Sequence, residues 1–203
     1  MRVPEPNNSI NPSIFSNLRL FSPPALCYNP LTSEEHMDCI LFRHGIATEW
    51  SDWSGDDRDR PLTEEGIEKT RKGARGLEQL GIRPTHLLCS PFLRTHQTAE
   101  ILKDVLKFSG TLQFCEELFS EASPRRLFSL LATFPKNGSV LCVGHEPHLG
   151  DTAGVMLCGQ PLNGLSMKKA GACFIQFDGL PAPGEGTLQW WLAPSQLRLL
   201  GKS

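Results

Sequence analysis

The stretch that decides the fold of this chain is Ile40-Leu41-Phe42-Arg43-His44-Gly45. An apolar run over residues 39–42 ends abruptly in a cation, an imidazole and a glycine. In open α/β sheets, ligands bind beyond the carboxyl ends of the strands, and a glycine there lets a ligand approach the backbone. The stretch therefore indicates a buried strand that leads into an anion-binding site. An ordinary strand followed by a polar turn would give the same residues, so the interpretation depends on the rest of the chain.

Two later apolar runs end in a similar way: residues 86–89 lead into Ser90-Pro91-Phe92-Leu93-Arg94, and residues 139–143 lead into Gly144-His145-Glu146-Pro147-His148. Ser90 suits the N-cap of a helix and Pro91 suits its first position. Arg94 would then lie about one turn into that helix, near an N-terminus that attracts anions. Taken alone, an arginine there is more simply a solvated side chain, because the helix dipole disfavours a cation at that end.

The order of the hydrophobic patterns predicts an α/β fold. Strands are expected at residues 38–42, 86–89, 112–115, 139–143, 172–177 and 188–192. Helices are expected between Thr63 and Gly81, after Ser90, and at residues 125–134 and 151–157. In the first helix the spacing of three and four predicts a buried face formed by Ile67, Thr70, Ala74 and Leu77. Residues 46–60, between the first strand and this helix, are polar and predict an irregular loop over the site.

Alternating strands and helices predict a mostly parallel sheet with helices on both faces. The carboxyl ends of its strands share one edge, so Arg43, His44, Arg94 and His145 are expected to converge on one pocket. The pattern offers no obvious carboxylate to compensate these cations. Such a pocket suits a dianion.

Composition excludes several classes of protein. The chain has 203 residues with 20 basic and 22 acidic side chains, so the net charge is −2. Nucleic-acid binding usually needs a basic excess or stripe, which is missing here. No apolar run approaches the roughly 18 residues of a membrane span. Seven cysteines without a Cys-x-x-Cys pair, four of them inside apolar runs, indicate buried thiols in a reducing compartment and favour a cytoplasmic protein.

Residues 1–37 differ in composition from the rest. Six prolines interrupt a segment rich in Asn and Ser, and neither a helical nor a strand period survives. We interpret residues 1–37 as a disordered extension and residues 38–203 as the folded domain. A targeting peptide is a weaker alternative, because the segment has only two arginines and no clear amphipathic face. Met37 directly precedes the first strand, so it is also a candidate for the true start.

Taken together, three stretches in this order resemble the signatures of the histidine phosphatase superfamily: Leu41-Phe42-Arg43-His44-Gly45, Ser90-Pro91-Phe92-Leu93-Arg94, and Val143-Gly144-His145-Glu146-Pro147. This is the fold shared with phosphoglycerate mutases and acid phosphatases. Arg60-Pro61-Leu62-Thr63 and Trp190-Trp191-Leu192-Ala193-Pro194 bring the resemblance closest to the small SixA-type phosphohistidine phosphatases. The resemblance covers residues 37–198 and implies a three-layer, phosphoglycerate mutase-like α/β fold.

The resemblance also implies catalytic roles. His44 would attack phosphorus and become a phosphohistidine that water hydrolyses. Arg43, Arg94 and His145 would bind the non-bridging oxygens of the phosphoryl group. The cations of such a pocket are side chains, so no metal or other cofactor is expected. The substrate would be a phosphorylated protein or a small phosphorylated molecule.

Three further side chains are candidates with open alternatives. Arg60 is either a phosphate or substrate contact or a structural ion pair with the acidic loop. Many phosphatases of the superfamily place an acidic general acid after the second signature, where Glu117 lies, but a capping or exposed carboxylate explains Glu117 equally well. His148, three residues after His145, is a candidate substrate contact, and a structural histidine is the alternative.

Three functions remain in competition. The first is a metal-free phosphatase that acts on phosphohistidine proteins or, alternatively, as a general small-molecule phosphomonoesterase. The second is a non-catalytic module that binds phospho-ligands or partner proteins, which the presence of all four central residues argues against. The third is a metalloprotein that uses His44, His145 and His148, although the chain lacks a His-Glu-x-x-His helix and suitable cysteine pairs.

Overall fold

A computed structural model of the chain describes residues 36–202. The predicted extension over residues 1–37 therefore lies outside the described residues, except for His36 and Met37. These two residues belong to the first strand, which begins two positions earlier than expected, and Met37 is fully buried. The folded domain thus includes the residue that directly precedes Asp38.

Within residues 36–202 the structure contains six strands and five α-helices. The strands are β1 His36–Arg43, β2 His86–Cys89, β3 Leu112–Phe114, β4 Ser139–Gly144, β5 Ala172–Asp178 and β6 Thr187–Leu192. The helices are α1 Glu64–Gln79, α2 Leu93–Val105, α3 Pro124–Leu131, α4 His148–Cys158 and α5 Pro194–Leu200. None of these helices is long and apolar enough to cross a membrane.

The six strands form one sheet in the order β3-β2-β4-β1-β5-β6. The pairs β2–β3, β2–β4 and β1–β4 are parallel, whereas β5 runs antiparallel to both of its neighbours. The prediction of a mostly parallel sheet is therefore confirmed. Its central strands read as continuous apolar runs because both of their faces are covered.

Two hydrophobic cores fill the two faces of the sheet. On one face Ile40 and Phe42 of β1 pack with Leu77 of α1 and Leu102 of α2. On the other face lies Leu41 of β1, in a core shared by α3 and α4. Successive residues of a strand point to opposite faces, so β1 contributes to both cores. The predicted arrangement of helices on both faces of the sheet is confirmed.

Local signals explain the boundaries of α1. The Thr63 hydroxyl accepts a hydrogen bond from the Gly66 amide at 3.0 Å, as expected of an N-cap. Gly81, just beyond the helix, has φ +78°, a conformation that glycine adopts without strain. Thr70, Ala74 and Leu77 are buried as expected, but Ile67 is exposed, so its assignment to the buried face is wrong.

Several other boundaries differ from the sequence prediction. Ser90 and Pro91 do not start α2, which begins at Leu93, because the Ser90 hydroxyl contacts His145 instead of capping the helix. The helix α4 begins at His148, three residues before the predicted start. The loop over residues 46–60 contains two short 3₁₀ turns, Trp50–Asp52 and Asp57–Asp59. The seven-residue helix α5 was not predicted, since it is too short to establish a hydrophobic period.

The cysteines follow their predicted role. The described residues Cys39, Cys89, Cys115, Cys142 and Cys173 are free and buried, and Cys158 is free and exposed. Burial, with a smaller contribution from Cys115 and Glu100, raises the pKa of the Cys89 thiol to about 12. These thiols pack as small apolar side chains.

Two glycines of α1 provide a matched test of the packing between α1 and α5. A Cβ at Gly76 would collide with the carbonyl oxygen of Leu197, whereas a Cβ at Gly73 would meet its nearest atoms at 3.9 Å. Gly73→Ala is expected to raise the free energy of unfolding by about 0.5–1 kcal/mol, the helix-propensity difference. Gly76→Ala should lower it by about 1–3 kcal/mol through overpacking. Urea denaturation measures both, and equal effects of the two substitutions would contradict this packing.

Candidate active site

The register of the sheet brings three strand ends to the same level. Arg43 on β1 lies opposite Gly144 on β4, and Cys89 on β2 lies opposite Val143 on β4. The pairing continues one residue further, since the His44 amide donates to the Gly144 carbonyl at 3.1 Å. Arg43, His44, Arg94 and His145 all line one cavity of about 300 Å³ at this edge. The expected convergence is therefore present.

His44 is buried at 6% exposure, and the carbonyl group of the next residue, Gly45, fixes the orientation of its ring. Its Nδ1 lies 2.7 Å from the Gly45 carbonyl oxygen, which can only accept a hydrogen bond, so Nδ1 carries the proton. In the neutral ring the lone pair is then on Nε2. Burial, followed by the neighbouring His145, lowers the pKa of His44 well below its ordinary value. The ring is thus neutral at physiological pH, as a nucleophile must be.

His145 lies beside His44, with the two ring centroids 5.2 Å apart. Its Nε2 is 2.9 Å from the buried hydroxyl of Ser90, the residue that the sequence predicted as a helix cap. Burial, with a contribution from Arg94, lowers the pKa of His145 to about 3. The neutral tautomer with its proton on Nδ1 both accepts from Ser90 and can donate to an anion.

Arg43 is held through a backbone group rather than a carboxylate. Its Nη1 donates to the Met167 carbonyl oxygen at 2.6 Å. The Met167 amide in turn donates to Oε1 of Glu146 at 2.7 Å, so one peptide segment links the two side chains. Burial raises the pKa of Glu146, although the amides of Met167 and Gly150 and the charge of Arg43 oppose this shift.

Arg94 is buried and held by a single loop residue, Asp57. The Nη1 of Arg94 donates to the Asp57 carbonyl oxygen at 2.7 Å, and Nη2 donates to its Oδ2 at 3.0 Å. The other carboxylate oxygen, Oδ1, accepts from Nε of Arg60 at 2.8 Å. Asp57 thus bridges two arginines of the pocket. The expectation of a pocket without a compensating carboxylate is wrong, because Asp57 lies in a loop whose acidic residues looked interchangeable in the sequence.

Arg60 forms the structural ion pair of the second interpretation, and a contact with phosphate or substrate stays a prediction. It forms an ion pair with Asp57, and its Nη1 donates to the Thr48 carbonyl oxygen at 2.7 Å. It also lines the cavity together with Arg94. The structural ion pair is therefore what places this guanidinium at the site.

Glu117 and His148 are not brought into the cavity. The Glu117 carboxylate lies 3.3 Å from Nη2 of Arg126, and Glu117 does not line the cavity. His148 is almost fully buried, 3.5 Å from the Thr152 hydroxyl, and burial lowers its pKa to about 4. Both side chains have contacts of the kind that the structural alternative predicts. Glu146, by contrast, lines the cavity and was quoted within the third signature without a role.

Two observations bear on what the pocket can hold. Within residues 36–202 the buried Nε atoms of Arg43 and Arg94 have no hydrogen-bond acceptor. Buried charged donors are normally satisfied, so both guanidiniums retain hydrogen-bonding capacity, and phosphoryl oxygens are acceptors that suit guanidinium donors. The same part of the chain contains no cluster of three or more His, Cys, Asp or Glu side chains that could hold a metal ion, so His44, His145 and His148 do not form one.

Comparison with known proteins agrees with this geometry. The family model described as "Histidine phosphatase superfamily (branch 1)" matches residues 39–119, which include His44 and Arg94. An uncharacterized protein of Picosynechococcus is 38% identical over 141 residues, covering 66% of this chain and 82% of that protein. Phosphohistidine phosphatase SixA of Escherichia coli is 28% identical over 167 residues, covering 80% of this chain and 98% of that protein. This chain belongs to the histidine phosphatase superfamily.

Solved structures of the superfamily share the fold. The structure of the protein histidine phosphatase SixA complexed with tungstate has a TM-score of 0.67 and 26% identity, covering 79% of this chain and 99% of that one. A phosphoglycerate mutase from Bacillus anthracis has a TM-score of 0.58 at 18% identity, covering 83% and 97% of the two chains, which shows the fold alone. The phosphoglycerate mutase-like fold is thus confirmed.

The site of this superfamily member can support phosphoryl transfer. His44 offers a neutral ring nitrogen, and the guanidiniums of Arg43 and Arg94 offer planar paired donors that keep their charge near neutral pH. These donors are already held in place, so little reorganisation is needed as charge develops on the transferring group. Family membership and geometry together support a phosphatase.

The neutral state of the two catalytic-site histidines can be tested directly. Burial and nearby cations penalise the imidazolium, so His44 and His145 should stay neutral as the pH falls from about 7.5 to about 5, below the ordinary histidine pKa of about 6.5. Ring NMR signals, assigned with His44→Gln and His145→Gln, measure this. Both rings should titrate near 6.5 in urea-unfolded protein. The same midpoint in the folded protein would contradict the proposed nucleophile state.

The bridge formed by Asp57 gives a second test. Asp57→Asn keeps the size of the side chain but removes the charge that orients Arg94 and Arg60, and kcat should fall about 10-fold or more, the scale of a hydrogen bond to a charged group. Inhibition by inorganic phosphate should not weaken, because the pocket loses a negative charge. Asp52→Asn, an exposed carboxylate of the same loop, is the matched control. Equal losses in both variants, or unchanged kcat in Asp57→Asn, would exclude the orienting role.

Proposed function

We propose that this protein is a metal-independent phosphatase that forms a phosphohistidine intermediate on His44 and dephosphorylates phosphohistidine proteins. The observation that carries the proposal is a pocket with a neutral histidine and an arginine clamp, in which the acid expected after the second signature does not take part. Glu117, the expected acid, is paired with Arg126 outside the cavity. The similarity to phosphohistidine phosphatase SixA, at 28% identity, supports the same substrate class.

The chemistry of the leaving group connects the missing acid to the substrate. An alkyl phosphate expels an alkoxide, which needs a proton from a positioned acid, and such help contributes about 10²–10⁴-fold. A phosphohistidine expels an imidazole, whose unperturbed pKa of about 6.5 lets it take a proton before cleavage and leave neutral. Phosphohistidine therefore needs only a nucleophile and a clamp.

The proposed reaction has two steps. The Nε2 lone pair of His44 attacks phosphorus in line, a P–N bond forms on His44, and the P–N bond to the protonated substrate imidazole breaks. Arg43, Arg94 and His145 hold the three non-bridging oxygens during the transfer. Water then attacks the phosphohistidine of His44, which releases inorganic phosphate and restores the ring.

A general phosphomonoesterase is the alternative, and the position of Glu146 favours it. This carboxyl lines the cavity and burial raises its pKa, as a general acid requires. Two backbone amides hydrogen-bond to the same carboxylate, and they stabilise its charged form. We therefore assign Glu146 to the support of Arg43 and keep phosphohistidine as the preferred substrate.

We also propose that the protein works in the cytoplasm. The buried free thiols support a reducing compartment. Residues 1–33 contain a single acidic residue, so a targeting peptide that directs the protein to an organelle is the competing possibility. Fluorescence microscopy of residues 1–37 fused to a fluorescent protein distinguishes the two, because a targeting peptide would remove the fusion from the cytosol.

Substrate comparison tests the main proposal. In the presence of a chelator, purified protein should hydrolyse a phosphohistidine protein or phosphoimidazole at least about 10²-fold faster than an alkyl phosphate. This factor is the lower end of the acceleration that a general acid contributes. Rapid mixing with labelled donor should trap acid-labile, base-stable phosphate on His44, and His44→Ala should be inactive. Glu117→Gln should retain wild-type hydrolysis of phosphohistidine.

Three results would contradict the proposal. Label on a serine would exclude the histidine nucleophile. Efficient alkyl-phosphate turnover that collapses in Glu117→Gln or Glu146→Gln would establish the phosphomonoesterase instead. Binding of phosphate without turnover of any donor would indicate the non-catalytic module.

A further inference from the structure

The mouth of the active-site cavity contains an exposed tryptophan. Trp50 begins a 3₁₀ turn, Trp50–Asp52, and is 61% exposed although it lines the same cavity as His44. Among the described residues that line this cavity, Trp50 is the one apolar side chain. A tryptophan offers a large flat apolar face for contact with a ligand.

The position of Trp50 is supported by Arg60, which lines the same cavity. The Arg60 guanidinium carbon lies 6.0 Å from the centroid of the Trp50 ring, within cation–π range. Arg60 itself is fixed by hydrogen bonds to Asp57 and to the Thr48 carbonyl oxygen. The indole is therefore placed against a guanidinium that does not move freely.

The other tryptophan of the loop has a different environment. Trp53 is half-buried, and its indole Nε1 donates to the Asp56 carbonyl oxygen at 2.9 Å. This bond closes the loop before the turn that contains Asp57. Trp53 is thus a structural residue, and of the two tryptophans only Trp50 lines the cavity.

In-line transfer fixes which part of a substrate meets Trp50. The leaving group departs on the side of phosphorus opposite the attacking atom. His44 is buried and Trp50 is exposed on the same cavity, so we expect the leaving group to depart toward the exposed side, where Trp50 lies. The side chain at that position is flat, apolar and backed by a cation.

We propose that Trp50 is a specificity-determining residue that stacks on the planar ring of the leaving group, and so favours ring-bearing phosphoryl donors over acyl phosphates. The inference rests on the proposed function, since it concerns the leaving group of that reaction. An imidazole ring offers a face for stacking, whereas the acetate released from acetyl phosphate offers much less apolar surface. Both donors are activated, so neither depends on a general acid.

The test compares the two donors in matched variants. Trp50→Ala should raise KM for phosphoimidazole about 3- to 10-fold, the scale of one aromatic pair, while KM for acetyl phosphate changes less than about 2-fold and kcat is unchanged for both. Trp50→Phe should restore most of the difference. Phe114→Ala removes an exposed aromatic side chain on β3 that does not line the cavity, and it should change neither donor. Thermal denaturation confirms that each variant is folded.

The outcomes separate this inference from the proposed function. A wild-type enzyme that hydrolyses both donors, with an equal change or no change in KM for both in Trp50→Ala, overturns the role of Trp50 alone. A wild-type protein that hydrolyses neither donor overturns both proposals. A donor-specific rise in KM that Trp50→Phe reverses supports stacking, because loss of a structural residue would affect both donors.

Discussion

The parallel pairing of β4 with β1 on one side and β2 on the other is the constraint on which the site depends. It places Gly144 beside Arg43 and Val143 beside Cys89, so three turns from distant parts of the chain begin at one level. A shift of one residue in either register would turn His44 or His145 toward the opposite face of the sheet. The continuous apolar cores on both faces resist such a shift, because each strand residue has a place in one of them.

Electrostatic compensation is the second requirement of this pocket. Buried guanidiniums need partners, and the chain supplies them without blocking the anion: Asp57 holds Arg94 and Arg60 from the loop side, and the Met167 carbonyl holds Arg43 from the other side. Burial and the same cations keep the neighbouring imidazoles neutral. In the reaction that we propose, a single arrangement of charges would both keep the nucleophile neutral and bind the group that it attacks.

The sequence predicted the parts of this structure that depend on local pattern. The strand ends were predicted at Phe42, Cys89 and Val143, within one residue of those in the structure, because a short, continuous apolar run before a polar turn is typical of a buried strand. The signatures then located His44, Arg94 and His145. The contacts of Ser90 with His145 and of Asp57 with Arg94 were missed because they join residues more than thirty positions apart. No local pattern distinguishes Asp57 from the other acids of its loop, and a helix cap was the simplest use of Ser90.

Cys89 lies immediately before Ser90, whose hydroxyl contacts His145, yet its thiol is unreactive near neutral pH. With a pKa of about 12, its thiolate fraction near neutral pH is on the order of 10⁻⁵, and the thiolate is the form that peroxides and electrophiles attack. The nucleophile that we propose is an imidazole, which such reagents do not readily modify. The proposed reaction would therefore not depend on a thiolate, the group through which peroxides inactivate enzymes that have a nucleophilic cysteine.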